Sequence, residues 1–357
     1  METARVSLFV CLAAATGLGT WYLSVGAPDR QWRLAEQAGK MSTDQERFAE
    51  AEHHFTMAVE AARVFGDQDS RRALSLVHLA NVVCLQGRHT EAISLYQQAL
   101  AINEKTLGSE HPDVASCLVA LATPFGKLAK DAEAEKLLQR AIAIDEKALG
   151  RDHPDVAWPL SSLAWVRSNQ GRYAEAEQLA RRALAIREKT LDSHHVDVGR
   201  NLYALGSFLI RQDRFAEARS MLERSSAILE STLGADHLEM SSCLIGLANC
   251  ERNARADFIE AQRLIERALA IRQKVLNADH SDVGECLGNL ASVYHDLGRN
   301  DMAQSIDERA LAIFEHSLGP DHPGLAWSLT RLASIDADRG NHSQAEARLT
   351  RDRKSVV

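Results

Sequence analysis

The chain has 357 residues, a length that fits two or three domains. Its 41 Lys and Arg stand against 49 Asp and Glu, a net charge of −8, which excludes a nucleic-acid coat or a polybasic membrane patch as the main role. Hydrophobic residues at 45% exclude a disordered chain, and aromatic residues at only 5% in an Ala- and Leu-rich sequence read as helical.

Residues 6–28 carry no charged side chain; Arg5 precedes them, and Asp29, Arg30 and Arg33 follow. The apolar heart ends in Trp21, Tyr22 and Leu23. Three readings stay open. One is a membrane anchor, since about 20 apolar residues span the hydrocarbon core and aromatic rings favour its edge. Another is a cleavable secretory signal with a small-residue site at Ser24, Val25 and Gly26. The third is an apolar helix capping the first repeat. The expectation is a membrane-anchored or exported protein, with residues 1–29 set apart as an apolar N-terminal segment. The charges do not set an orientation.

From residue 65 onward the sequence repeats, and repeats take precedence over single motifs. Leu107-Gly-Ser-Glu-His-Pro-Asp-Val114 returns as Leu149-Gly-Arg-Asp-His-Pro-Asp-Val156, and again in looser form four more times. Its histidines are His111, His153, His195, His237, His280 and His322. The step is 42 residues, except one of 43 between His237 and His280, whose extra residue is placed in 254–257. Each unit holds two helical segments. In one unit residues 154–169 predict a first helix, Gly171-Arg172 a turn, and residues 173–190 a second helix. Pro112, Pro154 and Pro323 suit the first helical position, where the lost N–H would have no partner anyway. Gly87, Gly171, Gly298 and Gly340 fall between the helices, where positive φ ends a helix. Ala129 and Asp213 replace Gly in two turns, which should be strained. Pro124 and Pro159, inside first helices, predict local bends.

Two columns of small residues and one of leucine describe the packing. Ala80, Ala122, Ala164, Gly206, Ala248, Ala291 and Ala333 share a place on the first helix. Ala92, Ala134, Ala176, Ala218, Ala261, Ala303 and Ala345 share one on the second. Leu79, Leu121, Leu163, Leu205, Leu247, Leu290 and Leu332 precede the first column. A knob beside a hole, repeated seven times, is ridge-into-groove packing between hairpins that cannot bury their apolar faces alone.

These residues resemble a tetratricopeptide repeat: the Leu-Ala pair, the turn Gly171-Arg-Tyr-Ala-Glu-Ala176 and the stretch Arg181-Arg-Ala-Leu-Ala-Ile186. The 42-residue period and the Leu-Gly-x-x-His-Pro-Asp linker resemble the kinesin light chain class of these repeats. The likeness covers about residues 65–349. It implies an all-α, right-handed α-solenoid of stacked helix-turn-helix (TPR) repeats. Residues 30–64 read as a degenerate first repeat and 65–351 as the repeat solenoid. Residues 352–357 read as a tail of non-native origin, since Asp-Arg-Lys-Ser-Val-Val is also what one frame of a sequencing adapter encodes.

No motif for catalysis or phosphate binding is present, and no enzymatic activity is expected. The linker histidines stand one per repeat and do not converge as metal ligands must, so neither a metal nor a cofactor is expected; local hydrogen bonding at the start of each first helix fits them better. Cys117, Cys243 and Cys286 share one column and read as small buried hydrophobes. Function is left to a surface. By resemblance the first helices line a concave groove that holds an extended peptide of a partner protein. The groove residues implied are Asn81, Thr123, Trp165, Tyr203, Ser207, Arg211, Asn249, Arg252, Asn289 and His295. Of the Asn pairs that grip peptide backbone in kinesin light chains, only Asn289 is kept. The expected role is a non-enzymatic scaffold for proteins or peptide segments, without nucleic acid and with membrane association through residues 6–28. The alternative is a structural protein that self-associates end to end.

Overall fold

The structure, a computed structural model, describes residues 18–45, 47–319 and 325–355. The apolar residues 6–17, His322 with its linker, and Val356 and Val357 lie outside the described residues. Sixteen α-helices and no strand are present among the described residues. In the first unit these are α1 (Leu18–Asp44), α2 (Phe48–Ala62), α3 (Ser70–Leu85), α4 (His89–Leu107), α5 (Pro112–Lys127), α6 (Asp131–Leu149) and α7 (Ala157–Asn169). The second unit begins at Tyr173 with α8 (Tyr173–Thr190), α9 (Val196–Ile210), α10 (Phe215–Leu233), α11 (Leu238–Cys250) and α12 (Phe258–Val275). It continues with α13 (Ser281–Asp296), α14 (Asn300–Leu318), α15 (Ala326–Asp338) and α16 (His342–Ser355).

Within each unit, helices pack in sequence order, and first helices also touch first helices: α3 with α5 and α5 with α7, then α9 with α11 and α13 with α15. Each unit is therefore two layers of helices, first helices in one and second helices in the other. The leucine and small-residue columns fill the space between. Leu121, Leu205 and Leu332 are at most 2% exposed, and every alanine of the second-helix column is buried. Each such leucine contributes about 1.5–3 kcal/mol on burial. At Gly206 a Cβ would stand 2.7 Å from Leu222 Cγ. Leu222, itself fully buried, takes the space that alanine uses elsewhere.

The linker histidines start the first helices. His111 is extended (φ −80°, ψ 142°), and its Nδ1 accepts the Asp113 N–H at 3.1 Å. His153, His195, His237 and His280 do the same for the N–H groups of Asp155, Asp197, Glu239 and Asp282, at 3.1–3.3 Å. This is N-capping with imidazole in place of the usual hydroxyl or carboxylate.

The turns follow the sequence closely. Gly171 has φ +74°, and Ala129 and Asp213, which replace glycine, have φ 55° and 59°. The 43-residue step is absorbed where it was expected. A π-turn over Glu251–Arg255 takes up the extra residue, and Ala256 (φ 51°) closes it. The two internal prolines act less than expected. Residues 154–156 form a 3₁₀ turn, so the α-helix begins at Ala157 and Pro159 falls among the first residues, whose N–H groups lack intrahelical partners. Pro124 lies in the last turn of α5, which continues to Lys127.

The membrane expectation is corrected. No helix among the described residues is long and apolar enough to cross a membrane. The apolar segment is already helical at Leu18, and the same helix runs into Asp29, Arg30, Arg33, Glu36 and Lys40 before ending at Asp44. Its far half is held by polar contacts: Trp32 Nε1 donates to Ser75 Oγ at 2.9 Å, Ser75 donates to Glu36 at 2.6 Å, and His78 Nδ1 lies 2.7 Å from Glu36.

Candidate functional site

The exposed face of the first-helix layer is set by the helical period. The Leu and Ala columns point between the layers, so residues one position to either side of that stripe face out. In the first unit this places Asn81 on α3, Thr123 on α5 and Trp165 on α7 at the surface, Trp165 being 40% exposed. Asn81 Oδ1 accepts the Tyr96 hydroxyl from α4. Lys127, at the end of α5, is exposed and has no ion-pair partner among the described residues.

The other implied residues lie in the second unit, most with partners of their own. Tyr203 on α9 is half-buried against the core around α11, and burial pushes its phenol up. Ser207 donates to the Tyr203 carbonyl at 3.0 Å. Arg211 caps α9 and is exposed. The carbonyl of Asn249 accepts the Asn253 amide at 2.7 Å. Arg252 pairs with Asp296. Asn289, the one residue that keeps the gripping pattern, donates to Glu285 O one turn back at 2.9 Å, so its amide is engaged along its own helix. His295 Nδ1 meets Asn300 Oδ1 at 3.1 Å.

Sequence reasoning missed Trp158 and Trp327, 63% and 79% exposed. Both occupy the column Leu74, Ser116, Trp158, Arg200, Ser242, Glu285, Trp327, one helical turn before the gripping pair. The signal was available: Trp158 precedes Trp165 by seven residues, two turns on the same face, about 10.5 Å along the axis. It also missed Arg331. Its guanidinium is drawn inward as a fork onto Asp307 of α14 (2.6 Å at Nη2). It also reaches Ser292 and the Gly288 carbonyl of α13, the latter at 2.9 Å. Asp307 is fully buried, and burial outweighs Arg331 in pushing its carboxyl up.

No group of three His, Cys, Asp or Glu side chains among the described residues could hold a metal ion. The described cysteines are free thiols, and burial pushes Cys243, Cys250 and Cys286 up to about 11, which leaves them protonated at neutral pH. The exposed second helices carry a recurring Glu-to-Arg rung between neighbours: Glu104 to Arg140 in the first unit, and Glu188 to Arg224, Glu230 to Arg267 and Glu315 to Arg351 in the second. Solvated rungs of this kind contribute about 0–1 kcal/mol each.

Stacked helix pairs define a helical-repeat protein. The tetratricopeptide repeat profile matches residues 71–147, 127–189, 197–274, 252–315 and 282–351, and the chain belongs to that family. A crystal structure of nearly identical TPR-like repeats from Podosopora anserina, described as a kinesin light chain, is 28% identical over 58% of this chain and 97% of that one, with a TM-score of 0.48. The apo form of the quorum sensor NprR from B. thuringiensis is 12% identical over all of this chain and 99% of its own, with a TM-score of 0.70. A Rap protein complexed with competence and sporulation factor is 16% identical over 80% of this chain and 75% of its own, with a TM-score of 0.59. The last two likenesses are of fold. A comparison with curated proteins returned no match.

Proposed function

We propose that this protein is a non-enzymatic scaffold that holds extended segments of partner proteins on the exposed face of its first-helix layer. The observation that carries the reading is the pair of indoles, Trp158 and Trp327, held largely in solvent in one column of that face. A folded chain gains little from such exposure, and Trp, Tyr and Arg are the residues that dominate binding energy at interfaces. In the first unit Trp165 shares the outward face of α7 with Trp158, and in the second unit Tyr203 and Arg211 lie on α9 and at its end. The NprR and Rap likenesses support the architecture, and the Rap protein is named in complex with a factor. On this reading residues 30–64 serve as a divergent first repeat, 65–351 as the binding solenoid, and 352–357 contribute nothing.

The test is panning of a random-peptide display library on the full chain, followed by titration of the selected peptides by tryptophan fluorescence. Selected peptides should bind with a change in indole emission. The variant W158A/W165A/R211A should weaken binding at least tenfold with helicity unchanged. Undiminished binding would move the site off this face. Light scattering on the same sample separates the self-associating alternative, in which mass grows without limit as concentration rises.

A further inference from the structure

We propose that the contact of α6 with α7 in the first unit is a pH-sensitive joint, in which the buried carboxylate of Asp145, lacking a hydrogen-bond donor, loosens the docking of α7 when it is ionised. The argument begins with a column. Asn103, Asp145, Arg187, Leu229, Arg272 and Phe314 occupy one place on the second helices, facing the first helix that follows. Fourteen residues on, Cys117, Pro159, Asn201, Cys243 and Cys286 answer them.

Where that place holds another polar side chain, it is bonded across the joint. Asn103 donates to Cys117 Sγ at 3.1 Å, and Arg187 donates to Asn201 Oδ1. Arg272 donates to Ser241 Oγ at 2.9 Å, to the Asp282 carbonyl at 2.6 Å and to Glu285 at 2.7 Å. Asp145 is the exception. It is 5% exposed, and no hydrogen bond from the described residues reaches its carboxylate. Its counterpart is Pro159, a residue with neither an N–H nor a side-chain donor. A carboxylate taken out of water without a donor is disfavoured in its charged form.

The charged groups that bear on Asp145 are Asp155 and His153, both in the linker and turn that lead into α7. Neither α5 nor α7 adds another. Burial first, then Asp155, pushes the Asp145 carboxyl up from 3.8 to about 6, against an opposing pull from His153. The folded form thus holds this proton more tightly than the unfolded form does. Stability is full below the unfolded value, falls as pH rises towards 6, and stays reduced above it. The two neighbours have their own engagement: His153 Nδ1 accepts the Asp155 N–H at 3.3 Å and lies 3.6 Å from its carboxylate.

Because α7 carries Trp158 and Trp165, the joint would also set the rigidity of that part of the binding face. That consequence rests on the proposed function, whereas the joint itself does not, and the test below reads only the joint. Hydrogen exchange on the full chain, corrected for intrinsic rates, is followed by mass spectrometry in peptides from α6 and α7 at about pH 5 and about pH 7.5. In the wild type the opening equilibrium of α7 should rise by up to roughly tenfold between the two, since about half of the two-unit shift is already expressed at pH 5. D145N, which copies Asn103, should show little of that rise. P159N, which copies Asn201 and supplies a donor, should also flatten it. A wild type no steeper with pH than D145N would overturn the proposal, and a P159N chain as steep as the wild type would overturn the role given to Pro159.

Discussion

Removing Arg331 exposes how much one inward-turned cation holds. Asp307 sits where Tyr96, Leu138, Leu222 and Ile265 stand in other repeats, a position that is elsewhere part of the apolar core. It is tolerated because Arg331 meets it with both Nε and Nη2, while the rest of the guanidinium is taken by Ser292 and the Gly288 carbonyl. R331A leaves a carboxylate of 0% exposure without its ion-pair partner. Breaking a buried pair from one side costs about 3–5 kcal/mol, and replacing both partners by apolar groups is often neutral or stabilising. The double variant D307L/R331A installs the residues of the second clear repeat, Leu138 and Ala120, and should recover at least about 2 kcal/mol of the loss. Urea denaturation followed by circular dichroism, run as a double-mutant cycle, reads both numbers. A pH series adds a sign. In R331A burial remains while the largest effect that lowered the Asp307 pKa is gone, leaving the smaller ones of Ser328 and His295, so its raised value rises further. Such a group loses stability as pH rises, so R331A should recover part of its deficit on acidification. A loss under about 1 kcal/mol in R331A, or a double variant no more stable than the single, would refute the account.

Two further outcomes follow from the repeat turns. H237A removes the acceptor of the Glu239 N–H and should lower stability by about 1 kcal/mol in thermal or urea melts, while H237D or H237N, which keep an acceptor, should hold most of it. Ala129 and Asp213 hold positive φ without being glycine, so A129G and D213G should raise the melting temperature. The larger gain should come from A129G, worth up to about 1 kcal/mol, since Asp is tolerated in that region better than Ala; equal or negative shifts in differential scanning calorimetry would count against the strain.

What was legible in the sequence is what repeats. The period, the leucine and alanine columns, the glycine turns and the odd 43-residue step recur under one set of local rules, and each copy checks the others. The histidines were legible as local, since a spacing of 42 residues along a stack cannot converge on one ion. Their action as N-caps through Nδ1 emerged only from the backbone at His111 and its four counterparts. What was not legible occurs once. The fork of Arg331 onto Asp307 and the mismatch of Asp145 with Pro159 depend on which second helix faces which first helix, and no repeated pattern announces them. The apolar N-terminal run was misread because hydropathy over residues 6–28 was judged alone. At Leu18 the chain is already in the helix that carries Asp29, Glu36 and Lys40, and Glu36 is bonded to α3.

The repeats also supply an internal control on function. Seven copies of one structural environment show what the fold itself demands at each column. In the leucine and alanine columns, where packing decides, the residue hardly changes. In the column of Trp158 and Trp327 the fold accepts Leu74, Ser116, Arg200, Ser242 and Glu285 equally well, so packing does not dictate tryptophan there. An indole left 63% or 79% in solvent contributes little to folding and raises the tendency to associate. Its presence therefore calls for a cause outside the fold, and contact with another polypeptide is the cause that aromatic side chains serve best. The same comparison divides the molecule. In the first unit the outward columns hold Leu74, Val77, Thr123, Trp158 and Trp165, with Lys127 as the one exposed charge among them and no carboxylate. In the second unit they hold Tyr203 and Trp327 beside Arg200, Arg211, Glu285, Asp296 and Asp338.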